Sequence, residues 1–373
     1  MTDRTSRRAS PRVMTSRQPV KVPCFVCREE FPAAEAKWVD SAGAPTEPNP
    51  LWGRVVRAPS PSEREELERW YATGAQPRCP RNHVLPSSWR DVPWLAMVLL
   101  GDTGSGKSSY VRGLKRELES GSAAAAFGLT GRLDKASEPL WERRYASEEP
   151  TPQPGEQSGG DEYEPVVFEI FSEQSDNSDH AFANLLVFDP AGEATRDLQN
   201  IQTSMPGTGW THLRLVFVSP GAVRDGDWQD AEGTAGEARR RLHNVREYDS
   251  TQTVVGPKPL TAIVLSKADR YEPFPEFPGG VSQERHYANE SQREVLDEIV
   301  RNGDALYRFM DASGEDAQSL LRVINLMSEP YLVAVSNAQF SSTRAPVGIL
   351  DPLLLMLGAS GSLPETPTGR VRP

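Results

Sequence analysis

The chain has 373 residues, enough for one large domain and a small one, with 37% hydrophobic and 25% charged residues. Its formal net charge of −11 argues against bulk attraction to nucleic acid or to an anionic membrane, and no apolar run approaches the length of a membrane span. Three cysteines cannot all pair with one another, so we expect no disulfide framework and a reducing compartment, the cytoplasm.

The first 21 residues are basic and poor in acid, with five arginines and one lysine against Asp3 alone. This composition is typical of a disordered basic tail, and it can also mimic an organellar transit peptide. We expect a disordered tail over 1–21. A second disordered tail is expected over 358–373, after the last apolar helix.

All three cysteines belong to two short pairs of potential metal ligands. Cys24 and Cys27 have the spacing C-x₂-C, and Cys79 stands four residues before His83. Three thiolates and one imidazole form a complete ligand set for a closed, structural zinc site. The alternative is three unrelated thiols and a surface histidine, since the two pairs lie far apart in sequence. We predict a zinc-binding module with an insert over 22–91.

An apolar run at 95–100 precedes a phosphate-binding motif. The stretch 101–108 reads Gly-Asp-Thr-Gly-Ser-Gly-Lys-Ser and fits the P-loop pattern G-x-x-x-x-G-K-[ST], and a helical pattern follows it. In such a loop the main-chain N–H groups hold phosphates, the lysine reaches the β- and γ-phosphates and the last serine binds Mg²⁺. A glycine-rich turn is the alternative. The predicted phosphate-binding residues are Gly101, Asp102, Thr103, Gly104, Ser105, Gly106, Lys107, Ser108 and Ser109.

A second apolar run, at 185–188, ends in Asp189, which is followed by Gly192 and Glu193. In P-loop enzymes an aspartate at such a strand end holds Mg²⁺, often through water. Gly192 lacks a Cβ, so its N–H can approach a γ-phosphate closely. The alternative is an ordinary strand that ends in an Asp-Pro turn. After a P-loop, the order of the motifs favours the magnesium role for Asp189.

A third apolar run, at 260–265, leads into Ser266, Lys267 and Asp269. An aspartate here can accept from N1–H and the exocyclic amine of guanine together, as a bidentate charge-assisted pair. Adenine offers no matching donors, and the lysine stem would lie across the base. This pattern therefore predicts selection of guanine.

Other apolar patterns complete the predicted domain. Residues 291–310 have an amphipathic helical pattern, which Gly303 could interrupt. The arginine triplet 239–241 is expected to be a solvated helix face. The remaining predicted elements are strands at 163–171, 213–220 and 331–338, a short helix at 318–327 and an apolar helix at 347–357.

Taken in order, these motifs resemble the Ras-like (TRAFAC) GTPases over about residues 95–357. The resemblance implies an α/β P-loop domain over 92–357, with a mostly parallel sheet flanked by helices, that binds GTP or GDP and hydrolyses GTP. It makes Asp189 the start of switch II and Asp269 part of the guanine-specificity motif. The loop whose backbone would touch the guanine carbonyl is Ser336, Asn337 and Ala338.

Three positions depart from or do not fit the family pattern. Ser266 stands where most relatives have Asn or Thr, so a side-chain tie to the P-loop is expected to be lost. Glu193 replaces the water-positioning Gln, and a carboxylate can accept from water but cannot donate to phosphate. The predicted catalytic residues are Lys107, Gly192 and Glu193. Thr130 and Thr151 are both candidates for the switch I threonine.

The Cys/His knuckle before the P-loop strand, together with Asp-x-Ala-Gly-Glu and Ala-Val-Ser on the last strand, is similar to bacterial double-GTPase proteins of multicomponent conflict systems. This resemblance implies an activator or effector protein as partner, with a homodimer through the GTPase domain as another possibility. Hydrolysis by the isolated chain is expected to be slow. Two alternatives stay open: an assembly protein with negligible turnover, and a P-loop ATPase, which Lys267 and Asp269 disfavour.

Overall fold

The structure is a computed structural model of the whole chain. It describes residues 21–24, 26–27, 29–40, 44–46, 62, 65–66, 69, 75–85, 94–101, 104–120, 127–146, 164–172, 181, 183–190, 199, 201, 211–218, 231–251, 259–266, 292–312, 315–327, 330–335 and 348–359. The chain divides into two compact units, Met1–Val84 and Leu85–Pro373.

The first unit contains two small antiparallel sheets. Strand β1 (Lys21–Cys24) pairs with β2 (Glu29–Pro32), and β3 (Lys37–Val39) pairs with β4 (Gln76–Arg78). Strand β4 leads directly into a tight turn, in which the Cys79 N–H donates to the carbonyl of His83 across 2.9 Å. Because β1 and the end of β4 each carry a cysteine, these short strands place the two predicted ligand pairs.

The second unit is built on seven strands and six helices of the described residues. The strands are β5 (Trp94–Leu100), β6 (Leu129–Leu133), β7 (Val166–Ser172), β8 (Ala183–Phe188), β9 (Leu213–Val218), β10 (Leu260–Leu265) and β11 (Pro330–Ala334). The helices are α1 (Lys107–Ser120), α2 (Glu138–Arg144), α3 (Ala231–Thr251), α4 (Gln292–Ala312), α5 (Glu315–Ile324) and α6 (Asp351–Ala359). Within the ranges given above, no helix is both long and apolar enough to cross a membrane.

These strands form one mixed sheet in the order β11-β10-β9-β5-β8-β7-β6. The pairings from β11 to β8 are parallel, whereas β7 runs antiparallel to both β8 and β6. Strands β8 and β9 are buried along their whole length, and β5 is buried after Trp94, as parallel strands covered on both faces require. The predicted α/β fold, with a mostly parallel sheet flanked by helices, is confirmed.

Strand β6 was not predicted from the sequence. It reads Leu-Thr-Gly-Arg-Leu, which is short and carries a glycine in its middle, a residue that weakens a strand. Its stability comes from antiparallel pairing with β7 along the edge of the sheet, a long-range contact that the local pattern does not encode.

Helix α4 runs without interruption through Gly303, so the glycine does not divide the predicted helix. A Cβ added at Gly303 would lie 2.8 Å from the carbonyl oxygen of Leu332 on β11. The glycine therefore serves a close approach between helix and strand. Tertiary packing of this kind outweighs the cost of glycine inside a helix, which is about 1 kcal/mol of helix stability relative to alanine.

Helix α3 is attached to the sheet by an ion pair between a buried arginine and a partly exposed aspartate. Arg214 on β9 is fully buried, and its guanidinium donates to both carboxylate oxygens of Asp249 on α3, across 2.5 and 2.6 Å. This bidentate geometry is the strongest form of an arginine–carboxylate contact. The charge of the buried Arg214 is thus compensated by a carboxylate at the protein surface.

The arginine triplet on α3 is only partly solvated. Arg239 and Arg240 are exposed as expected, but Arg241 is buried, so the prediction is wrong for that residue. A helix turns about 100° per residue, which places Arg241 on the same side as the buried Val245 and Tyr248. Helical phase, rather than residue type, decides its burial.

Candidate functional site

The P-loop connects the central strand β5 to the first turn of α1. Gly106 has a φ of 97°, a conformation that is strained for a residue with a side chain. A Cβ at this position would also lie 3.3 Å from Cβ of Ser266. The Gly106 carbonyl accepts the helical hydrogen bond from the Tyr110 N–H at 2.9 Å, so the loop opens directly onto a helix N-terminus. A helix N-terminus preceded by such a loop favours an anion.

The conformation of two glycines fits the loop to a phosphate group. Gly104 and Gly106 have φ values of 75° and 97°, and such turns aim successive main-chain N–H groups to one side, where they can hold an anion. The Ser105 side chain lies on another side of the loop, where a Cβ added at Gly101 would come within 2.7 Å of its hydroxyl oxygen.

Lys107 is the first residue of α1 and directly follows the loop. Its side chain is buried, with 7% of the residue exposed, and Nζ donates to the carbonyl of Gly101 across 2.7 Å. An ammonium group has three N–H donors and can therefore contact several oxygens at once. Lys107 therefore places a positive charge at the mouth of the loop, and Ser109 follows on the same helical turn.

The pairing of two neighbouring strands places Asp189 beside the P-loop. Strands β5 and β8 are parallel neighbours, so their carboxyl ends lie at one edge. The Ser108 hydroxyl donates to Oδ2 of Asp189 across 3.4 Å, which brings together the two residues predicted to hold Mg²⁺. Burial raises the pKa of the Asp189 carboxyl above its usual value, and the charge of Lys107 is the largest opposing contribution.

Ser266 places the third predicted motif beside the same loop. The residue is buried at the end of β10, with its Cβ against Gly106. Its hydroxyl donates to the carbonyl of Val218 at 3.4 Å. The strand that leads into the predicted guanine motif thus ends next to the P-loop.

Tyr145 and Arg144 belong to the site but were missed from the sequence. Tyr145 follows the last residue of α2, and its hydroxyl donates to Oδ2 of Asp189 across 3.1 Å. Burial, then the charge of Asp189, raises the pKa of Tyr145 well above its usual value, so the phenol keeps its proton. The positive charge of Arg144 lowers the pKa of both groups. No local motif marks this pair.

The four predicted metal ligands of the first unit converge. The ligand atoms of Cys24, Cys27, Cys79 and His83 all lie within 4.8 Å of one another. Cys27 Sγ lies 3.9 Å from Cys79 Sγ, and Nδ1 of His83 lies 3.4 Å from Cys79 Sγ. A disulfide needs an S–S distance of about 2.05 Å, so these are separate thiols.

This geometry fits a tetrahedral metal ion. Zinc–sulfur bonds of about 2.3 Å imply sulfur–sulfur edges of about 3.8 Å in a tetrahedron, close to the separation of Cys27 and Cys79. Burial raises the pKa of the Cys24 thiol, because a buried thiolate lacks a compensating charge. Burial also lowers the pKa of His83, which favours the neutral imidazole that ligates metals. A divalent cation would supply the missing charge.

Of the two candidates for the switch I threonine, only Thr130 lies within the described residues. Thr130 is on β6, opposite Phe171. The remaining predicted site residues lie outside the described ranges: Asp102, Thr103, Thr151, Gly192, Glu193, Lys267, Asp269, Ser336, Asn337 and Ala338.

Among solved structures, the chain is similar to Sup35 complexed with GMPPNP, at 14% identity, and to Sup35 complexed with GDP, at 13% identity. The TM-score is 0.27 in both cases, and each match covers 66% of this chain and 38% of the Sup35 chain. The chain thus spans less than half the length of these Sup35 chains. No protein-family model and no curated protein matches the sequence.

The sheet order, the loop after β5 and the acid after β8 define an α/β protein with a P-loop. The first unit adds a Cys/His cluster to that fold.

Proposed function

We propose that the chain is a GTP-binding switch protein that hydrolyses GTP slowly. The observation that carries the proposal is the contact between Ser108 and Asp189, which lie 81 residues apart in sequence and meet beside Lys107. A serine at the end of a P-loop and an aspartate at the end of a neighbouring strand are the residues that hold Mg²⁺ in P-loop enzymes.

The described residues suggest a division of tasks. The main-chain N–H groups of 104–107 would hold phosphate oxygens, and Lys107 would contact the β- and γ-phosphates. Ser108 and Asp189 would hold the ion, which neutralises the charge on the β- and γ-oxygens when bound. Lys267, Asp269 and the loop 336–338 would bind guanine, an assignment that rests on the sequence.

Slow hydrolysis is inferred from the residues expected around the γ-phosphate. Phosphoryl transfer depends on charge and positioning, and an arginine finger alone contributes about 10³–10⁵ in kcat in known cases. Glu193 replaces a glutamine and can accept from water without donating to phosphate. Arg196 is near in sequence, but nothing assigns it to the γ-phosphate. A partner protein or a second protomer would complete the catalytic set.

The setting is inferred from the resemblance to double-GTPase proteins. We propose a cytoplasmic bacterial protein that acts with other proteins, in a defence-related system. Two motifs carry this resemblance: Cys-Pro before the last metal ligand, and Asp-x-Ala-Gly-Glu, which begins at Asp189 directly after β8.

We also propose that Cys24, Cys27, Cys79 and His83 bind one structural zinc ion within a module that covers 22–91. A complete set of four protein ligands leaves no open position for substrate, which supports a structural role. The His83 N–H also donates to the sulfur of Cys79 across 3.4 Å, and such contacts stabilise thiolate ligands.

Selection of guanine is the first expected result. GTP and GDP should bind at least 100-fold more tightly than ATP, and Asp269→Asn should remove most of that difference, because a lost bidentate contact leaves buried donors unpaired. The measurement is the affinity of the purified protein for the three nucleotides. Equal affinities for GTP and ATP in the unaltered protein would disprove the guanine assignment. Tight ATP binding with turnover would support the ATPase alternative.

The hydrolysis rate is the second expected result. Single-turnover hydrolysis by the isolated protein should fall on the order of 10⁻⁴ to 10⁻² per second, the range of P-loop GTPases without a finger supplied by a partner. Glu193→Ala should leave GTP affinity unchanged and alter the rate, whereas Glu193→Gln should raise the rate by restoring a donor. A rate near 1 per second without any partner would show that the chain carries its full catalytic set. Undetectable hydrolysis would favour the assembly protein.

A further inference from the structure

Tyr145 is the point at which the segment between α1 and β7 reaches the candidate nucleotide site. The side chain is buried, and its hydroxyl donates to Oδ2 of Asp189 across 3.1 Å. The Ser108 hydroxyl donates to the same oxygen across 3.4 Å. The carboxylate that we assign to Mg²⁺ therefore accepts hydrogen bonds from the hydroxyl groups of two separate elements of the fold.

Tyr145 is held in place by the packing of α2. At the start of this helix, the Ser137 hydroxyl accepts from the N–H of Val167 on β7 across 2.9 Å. Trp141 packs edge-on against Phe168 of the same strand, with ring centroids 6.2 Å apart. The Tyr145 N–H donates to the Trp141 carbonyl at 2.8 Å, and their rings lie 5.0 Å apart. The hydroxyl is thus presented by a fixed helix end.

The two hydroxyl contacts restrict the orientation of the carboxylate. A carboxylate has about four lone-pair sites on its two oxygens. Because Ser108 and Tyr145 both contact Oδ2, the lone pairs of Oδ1 are not used by either of them. Partners that orient a metal-binding carboxylate typically change metal affinity by about 10–100-fold when they are removed.

We propose that Tyr145 is a positioning residue for magnesium in the nucleotide site. Its hydroxyl holds the Asp189 carboxylate in the orientation in which the carboxylate binds the ion. The position of α2 is thereby coupled to the binding of Mg²⁺ together with nucleotide. This inference rests on the proposed function, because it concerns the ion that accompanies GTP or GDP.

The test is the Mg²⁺ dependence of nucleotide affinity, measured with fluorescent mant-GDP from excess EDTA to millimolar MgCl₂. Tyr145→Phe keeps the ring and removes only the hydroxyl. We expect the Mg²⁺ concentration at half-maximal effect to rise about 10-fold, while the affinity in EDTA changes less than 2-fold. In an Asp189→Asn background, Tyr145→Phe should have no further effect, because residues that act through one another are not additive.

Tyr110→Phe is the matched control. Tyr110 is also fully buried in this unit, and its hydroxyl has no hydrogen-bond partner in the described part of the chain. The control should leave the Mg²⁺ dependence unchanged. An unchanged Mg²⁺ dependence in Tyr145→Phe overturns the proposal, and so does an equal loss of affinity with and without Mg²⁺, which marks a structural role. If the unaltered protein and both variants fail to bind mant-GDP, the proposed function itself is wrong and the inference falls with it.

Discussion

Serine substitution of Cys24 and Cys79 together should remove the metal ion and unfold the first unit. Both cysteines are fully buried, and serine is a poor zinc ligand of similar size. Structural zinc in small modules contributes apparent binding free energies of about 10–16 kcal/mol, which is also folding free energy. The unaltered protein should contain one zinc per chain, and the double variant none, by elemental analysis. Limited proteolysis should then cut the unit that ends at Val84 much faster than the remainder.

A histidine pair provides the control for this experiment. His83→Ala should also lose the ion, because it removes a ligand, whereas His243→Ala removes an exposed histidine of α3 and should retain it. Absence of zinc from the unaltered protein, or zinc retained at full occupancy in the double cysteine variant, would exclude the site.

Loss of nucleotide binding is expected when Lys107 is replaced by alanine. The ammonium group is buried at the loop, and truncation of one partner of a buried charge pair typically costs about 2–5 kcal/mol. That range corresponds to a loss of roughly 30-fold to several thousand-fold in GTP affinity. Equilibrium binding of mant-GTP measures it, with circular dichroism to show that the variant is folded.

Lys135→Ala is the comparison variant, since it removes an exposed lysine of the same unit. Its GTP affinity should stay within 2-fold of the unaltered protein. A folded Lys107→Ala variant that binds GTP as well as the Lys135 control would mean that the loop does not contact phosphate in the way we propose.

Local patterns predicted the parts of the site that lie at strand ends. The P-loop is contiguous in sequence, and Asp189 directly follows a fully buried strand, so a parallel sheet brings both to one edge. Tyr145 lies 44 residues from Asp189, and nothing in its neighbourhood resembles a motif. Its role depends on where β6, α2 and β7 place a helix end, which is a property of the folded sheet edge.

The Cys/His cluster shows the same limit in another form. Each short pair could be predicted from its spacing, because a single turn brings together ligands that are three or four positions apart. The distance between the pairs could not be read, since Cys27 and Cys79 are separated by 52 positions and meet only through the two small sheets. Whether Gly303 interrupts α4 could not be decided from the sequence, because helix propensity contains no information about the approach of Leu332.

The ion pair between Arg214 and Asp249 determines how helix α3 is rotated about its own axis. A planar guanidinium that donates to both oxygens of one carboxylate accepts only a narrow range of orientations. The rotational setting of α3 is therefore fixed from the sheet at a point near the helix C-terminus, two residues before Thr251, where the helix ends.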